Sequence, residues 1–150
     1  MRVFLAGIIQ GGRTDAGIHH QGYRAAIAEA VAAVRPGTEF VDPHTENLDR
    51  LEWDRDRQRE MFFHYVGEAA RCDLLVAWLP EPSMGTSIEM YAAYRAGVPI
   101  LAITPLTGTW AVSFLAARCF PDLASFVDFI SGPEFGFLMS TPAGVRQEDA

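Results

Sequence analysis

The chain reads as an α/β protein, with one parallel sheet of about five strands covered by helices on both faces. Two observations predict it. Short apolar runs alternate with longer helix-forming stretches, which is the order of βα units. The runs are apolar on both faces, as in VFLAGII at 3–9 and LLVAWL at 74–79, as expected for strands buried in a parallel sheet. At 150 residues, with 49% hydrophobic residues, the chain has the length and apolar content for one domain with a real core.

Residues 3–9 form the first strand, and Gln10-Gly11-Gly12-Arg13 turns out of it. Residues 17–34 read as a helix whose apolar or small positions are Ile18, Ala25, Ala28, Val31 and Ala32, ended by Pro36-Gly37. A short second strand follows at 38–41, then a polar loop over 42–54. The second helix, 55–71, carries Met61, Phe62, Tyr65, Val66 and Ala69 on its apolar side. The third strand spans 73–79 and the third helix 85–97. The fourth strand spans 98–103 and a fourth helix 110–117. A fifth strand is expected at 118–120. A last helix over 122–131 has Asp122 as its N-cap. Scattered Gly, Pro and charge over 132–150 suggest a loosely held tail after a domain of residues 1–131.

Composition excludes several functions. The formal charge of −7 argues against a nucleic-acid backbone or an anionic membrane as the main partner. All positive charge is arginine, since the chain has no lysine. That removes the P-loop lysine, Schiff bases and the response-regulator lysine. Cys72 and Cys119 form neither a disulfide framework nor a metal spacing and read as buried thiols of a cytoplasmic protein. The apolar N-terminus is too soon interrupted for a signal peptide, and no run approaches a membrane span.

In parallel sheets of this kind ligands bind beyond the carboxyl ends of the strands. The segments ending there are 7–13, 42–53, 80–89 and 104–109. The most informative is Pro82-Ser83-Met84-Gly85-Thr86-Ser87-Ile88-Glu89. It offers backbone N–H groups, hydroxyls and one carboxylate at a strand-to-helix turn. Glu89 reads either as a residue favoured by the helix dipole in a first turn or as a nucleophile, kept ionised by the helix N-terminus, for an anomeric carbon. Gly85, Thr86 and Ser87 suit close approach better than helix stability. Gly7, Ile9, Gly11 and Gly12 read either as a turn or as backbone donors of an anion or sugar site, with Arg13 adding a guanidinium fork. The spacing is neither G-x-G-x-x-G nor a P-loop. Ser83, Ser87 and Ser113 read singly as caps or solvated hydroxyls, and together as a phosphate or ribose contact. His19 and His20 fall at the exposed start of the first helix. Asp42, His44 and Glu46 share a loop without a recognised metal spacing, so no metal is assigned. Trp53 either covers a pocket and stacks on a base or packs inward.

Val3-Phe4-Leu5-Ala6-Gly7, Gly11-Gly12-Arg13, Asp73-Leu74-Leu75-Val76-Ala77 and Pro82-Ser83-Met84-Gly85 followed by Glu89 resemble the nucleoside 2-deoxyribosyltransferase-like superfamily. Within it the chain looks most like the 2'-deoxynucleoside 5'-phosphate N-hydrolases. The likeness runs from about Val3 to Ala117. It implies a flavodoxin-like doubly wound sheet and a homo-oligomer, a dimer, with sites near subunit interfaces. It makes Glu89 the nucleophile and Ser83 a phosphate contact, and Ser113 a reach to the phosphate in a neighbouring subunit. Two stretches depart from the pattern. Ile8 and Gln10 stand where the phosphate-binding members have a serine and an arginine. Phe62-Phe63-His64-Tyr65-Val66 has no counterpart of the family's helix aspartate, for which Glu60, His64 or Glu68 are the stand-ins at hand.

The implied reaction cleaves the N-glycosidic bond of a (deoxy)nucleoside or its 5'-monophosphate through a glycosyl-Glu89 ester. The sugar then passes to water or to another base. It needs no metal or redox cofactor. The alternative is a nucleotide-binding or sensing module that keeps the scaffold without catalysis. Either way the expected partner is a small-molecule nucleoside or nucleotide.

Overall fold

The computed structural model describes residues 1–9, 19–47, 52–106 and 108–141. Five strands, β1 (Arg2–Gly7), β2 (Glu39–Val41), β3 (Leu74–Trp78), β4 (Ile100–Ile103) and β5 (Arg118–Phe120), form one sheet in the order β2-β1-β3-β4-β5. Every neighbouring pair is parallel. The order reverses between β1 and β3, which register Val3 against Leu74 and Gly7 against Trp78. That reversal is the switch point where ligands bind in such sheets.

The helices are α1 (Gly22–Val34), α2 (Arg55–Ala69), α3 (Met84–Arg95), α4 (Trp110–Leu115), α5 (Leu123–Ser131) and α6 (Pro133–Ser140). Side chains alternate across each strand and so split the core in two. Val3, Leu5, Leu74, Val76, Leu101 and Ile103 pack with residues of α1, α5 and α6. Phe4, Ala6, Leu75, Ala77, Ile100 and Ala102 pack with residues of α2, α3 and α4. Both faces of the sheet are therefore covered, as the unbroken apolar runs require.

Local chemistry sets the helix ends. The side chains of Asp54 and Asp122 accept from the backbone N–H groups of Arg57 and Ser125, at 2.8 Å each. These are caps of the first orphan donors of α2 and α5. After α3, Gly97 takes φ +74. Its N–H donates to Tyr94 O and the N–H of Val98 to Ala93 O, at 2.9 Å each. This left-handed stop is one that glycine makes without a Cβ penalty.

The structure corrects four expectations. Helix α1 begins at Gly22, so His19 and His20 precede it. Its buried stripe is Tyr23, Arg24, Ile27 and Val31, while Ala25 and Ala32 are exposed; the longest side chains, not the alanines, fill the space over the sheet. Within the expected tail, residues 133–140 are α6. Pro133 sits in its first turn, a position where proline's missing N–H costs nothing, and Phe135 is 1% exposed in the core. On α2 only Tyr65 and Ala69 are buried, and Phe62 and Phe63 face outward.

Candidate active site at the sheet switch point

β1 ends at Gly7, whose backbone runs against a tyrosine. A Cβ on Gly7 would lie 2.4 Å from the Tyr23 hydroxyl, so any larger residue there would have to displace the Tyr23 ring. The Tyr23 hydroxyl donates to Ile8 O at 3.3 Å. Its ring stacks on Trp78 at the end of β3, with centroids 5.1 Å apart. Burial pushes the phenol up to about 12. Ile8 is buried, and Ile9 O accepts from the His19 N–H at 2.8 Å. Gly11, Gly12 and Arg13 lie outside the described residues.

From β3 the chain turns through Pro80–Pro82 into α3. Ser83 is the N-cap, with its Oγ accepting from the Thr86 hydroxyl at 3.0 Å and, more weakly, from the Thr86 N–H at 3.4 Å. The Ser87 hydroxyl donates back to Ser83 O at 2.9 Å. A Cβ on Gly85 would meet nothing within 4 Å; the protein itself does not demand glycine there. Glu89 lies in the second turn of α3, not the first, and is partly buried. At that depth the helix N-terminus does not decide its charge state. Burial pushes its carboxyl up to about 8, opposed by the positive charge of Arg24. The expectation that the helix end keeps Glu89 ionised is thus overturned.

Gly7 ends β1 and Ile9 follows it, and Ser83, Gly85, Ser87 and Glu89 lie at the cap or in the first two turns of α3, which follows β3. Ser113 is exposed on α4, and its hydroxyl donates to Thr109 O at 2.8 Å.

Behind β1 lies a polar network that sequence reasoning missed. Arg24 reaches from α1 to the carbonyls of Leu5 and Gly7 and to Asp42 Oδ1. The N–H of Asp42 donates to Glu46 Oε1, and Glu46 Oε2 accepts from the Tyr65 hydroxyl at 2.8 Å. Asp42 and Glu46 are therefore committed to protein partners. Among the described residues no cluster of three or more His, Cys, Asp or Glu side chains could hold a metal ion. Of the proposed stand-ins for a helix carboxylate, Glu68 is tied to Arg2 and Arg71 at the opposite end of the sheet. Glu60 and His64 are exposed on α2. One face of Trp53 is occupied by the Arg57 guanidinium, 4.2 Å from the ring centre. His19 Nε2 lies 3.3 Å from Glu81 Oε1, joining the segment before α1 to the turn before α3.

No protein-family sequence profile matches the chain, and no curated protein does. Solved structures do. A 2-deoxyribosyltransferase from the psychrotolerant bacterium Bacillus psychrosaccharolyticus matches with a TM-score of 0.59 at 14% identity, over 97% of this chain and 96% of that one. The chain has the 2-deoxyribosyltransferase fold. A conserved protein from Enterococcus faecalis V583 shares this fold at TM-score 0.60 and 16% identity, over 87% of this chain and 96% of that one. So does the CMP N-glycosidase BcmB of Clostridium botulinum, at TM-score 0.53 and 16% identity, over 87% and 98%. The parallel sheet covered on both faces that the residue pattern predicts, and the flavodoxin-like, doubly wound order that the resemblance implies, are the fold observed.

Proposed function

We propose that this protein cleaves the N-glycosidic bond of a (deoxy)nucleoside or its 5'-monophosphate, with Glu89 as nucleophile. The observation that carries the reading is Glu89 itself: a carboxylate, partly buried on the helix that follows β3, beside the switch point of the sheet. The fold is shared with a 2-deoxyribosyltransferase and a CMP N-glycosidase. A buried carboxylate with a cation acting on it can attack an anomeric carbon as positive charge develops there. The attack forms a glycosyl ester and releases the base, whose departure an acid or solvent assists. Water or a second base then takes the sugar and frees Glu89. Ser83, Gly85 and Ser87 would contact sugar or phosphate where α3 begins. The open space over Gly85 leaves room for a ligand to approach the backbone.

The active form in this reading is a homo-oligomer, with Ser113 presented to the neighbouring subunit's site. Supporting it, α2, α3 and α4 expose Phe62, Phe63, Met84, Ile88, Tyr91, Trp110 and Phe114 on the side of the sheet that carries Glu89.

Incubation with a panel of nucleosides and deoxynucleotides, followed by chromatography for free base, tests the activity. Base should appear with the native protein and not with Glu89→Ala, which should keep its circular dichroism. Undiminished turnover in that variant would sink the assignment. A second reading, a binding module without catalysis, is favoured by the absence of a committed carboxylate on the site side of α2. Binding of nucleotides without base release would select it.

A further inference from the structure

Between α1 and the edge strand β2 lies a cavity of about 390 Å³. Leu5, Phe40 and two short side chains of α1, Ala25 and Ala28, give it apolar walls. Ala25 is exposed and Ala28 half-buried, so neither fills the space beside α1. Leu5 and Phe40 pack on the face of the sheet that α1 covers. Helix α3, which carries Glu89, buries Met90 and Ala93 on the other face. The cavity therefore lies across the sheet from the turn described above.

Its polar end is the Arg24–Asp42 pair, whose residues are 3% and 6% exposed. Asp42 Oδ1 accepts from Arg24 Nη1 at 2.7 Å and from the His44 N–H at 2.9 Å. The commitment of Asp42 thus uses one oxygen, and no described residue donates to Oδ2. Arg24 Nη1 also donates to Leu5 O at 2.7 Å, Nη2 to Gly7 O at 3.2 Å and Nε to Gln21 Oε1 at 2.7 Å. A guanidinium has five N–H groups, and these bonds leave one on Nη2 without an acceptor among the described residues. Buried polar groups are paired as a rule, and a buried ion pair repays its desolvation only when its remaining lone pairs and protons are satisfied. The two unfilled places are one acceptor and one donor, on side chains that line a cavity of the size of small-ligand sites.

We propose that this cavity binds a planar heterocycle bearing an amino group beside a ring nitrogen, as in the free bases adenine and cytosine. The apolar walls take the ring. The amino group donates to Asp42 Oδ2, as the cytosine amine does to acidic side chains, and the ring nitrogen accepts from Arg24 Nη2. Uracil, whose N–H lies between two carbonyl oxygens, sets those oxygens against the Asp42 carboxylate. The site is independent of the reaction proposed above.

Titration of the isotopically labelled whole chain with adenine, cytosine and uracil, followed by nuclear magnetic resonance, tests it. Adenine and cytosine at millimolar concentration should shift the methyl resonances of Ala25 and Ala28, and uracil should bind at least about tenfold more weakly. Ala28→Leu fills the cavity and should abolish the shift at Ala25. In Asp42→Asn the remaining Oδ1 still accepts from Arg24 and His44, so the amide nitrogen takes the place of Oδ2. An acceptor becomes a donor, and the preference should turn toward uracil. Glu89→Gln, across the sheet, should leave the shifts unchanged. Alanine methyls unmoved by adenine and cytosine, uracil binding as tightly as cytosine, or binding undiminished in Ala28→Leu overturns the proposal. Shifts lost in Glu89→Gln overturn it too, by placing the bases at Glu89. Should Asp42→Asn fail to fold, Ala28→Leu and the uracil comparison still decide. If the wild type releases no base from any substrate, the proposed function fails, and these titrations still decide the cavity.

Discussion

Glu89 is caught between burial, which favours its protonated form, and the charge of Arg24, which favours the carboxylate. Burial outweighs that charge, and the folded value of about 8 stands above the ordinary 4.5. Between these two values the folded protein therefore holds a proton that the unfolded chain has lost. Stability contributed at this position consequently falls as pH rises from about 4.5 to about 8. Glu89→Gln keeps the shape and removes the ionisation. It should be as stable as the wild type near pH 4 and more stable near pH 9, by on the order of a few kcal/mol. Urea unfolding at the two pH values measures this; equal wild-type and variant midpoints at the higher pH contradict it. The same substitution should abolish base release. Wild-type kcat/KM should climb as pH rises through about 8, because only the ionised carboxyl attacks. More stable and inactive is the pattern expected of a group held in an environment that costs stability for the sake of reactivity.

Helix α3 illustrates how much an element's sequence reveals. Its strand-turn-helix context, its cap at Ser83 and its glycine stop at Gly97 follow from local residue chemistry, and the structure has all of them. The ionisation of Glu89 was not legible, because it depends on how deeply the second turn is covered and on a charge from α1. Arg24 was missed for a related reason: an arginine in a helix ordinarily faces water, and only the tertiary fold brings the ends of β1 and β2 to it. Helix α6 was missed because Pro133 and Gly136 read as loop residues, although proline is tolerated in a first turn. Ser83 allows a test at this scale. Ser83→Ala removes the cap and should cost about 1 kcal/mol of stability. Ser83→Asp restores a cap acceptor and suits the helix dipole, so stability should recover. If Ser83 also meets a 5'-phosphate, the aspartate repels it. The KM for deoxynucleotides should then rise at least about tenfold, a loss of roughly 1.4 kcal/mol, while that for nucleosides changes little. Equal effects on both substrate classes would leave Ser83 as a cap alone.

At the scale of the molecule, the two faces of the sheet are finished differently. α1, α5 and α6 close one face over a core that includes Phe126, Phe129 and Phe135. On the other, α2, α3 and α4 each leave large apolar side chains exposed, among them Met84 at 84%, Trp110 at 77% and Phe114 at 63%. Scattered apolar residues are normal on a surface, but seven large ones on three adjacent helices form the kind of patch that marks an interface. Trp110 and Phe114 are one turn apart on α4, with ring centres 6.0 Å apart, and Ser113 lies between them in sequence. An interface centred there would bring Ser113 to the partner while covering the aromatic pair. A second copy of the chain is the occupant expected from the resemblance, and aromatic anchors at the centre of an interface carry most of its energy. The double substitution Trp110→Glu with Phe114→Glu should therefore convert a dimer to a monomer in sedimentation at micromolar concentration. The far-UV spectrum should be unchanged, because neither side chain is part of the core. Base release should fall in step with the monomer fraction if the neighbouring subunit completes the site. A native protein that already sediments as a monomer would detach Ser113 from the site. It would also leave the apolar face of α2, α3 and α4 to a different partner.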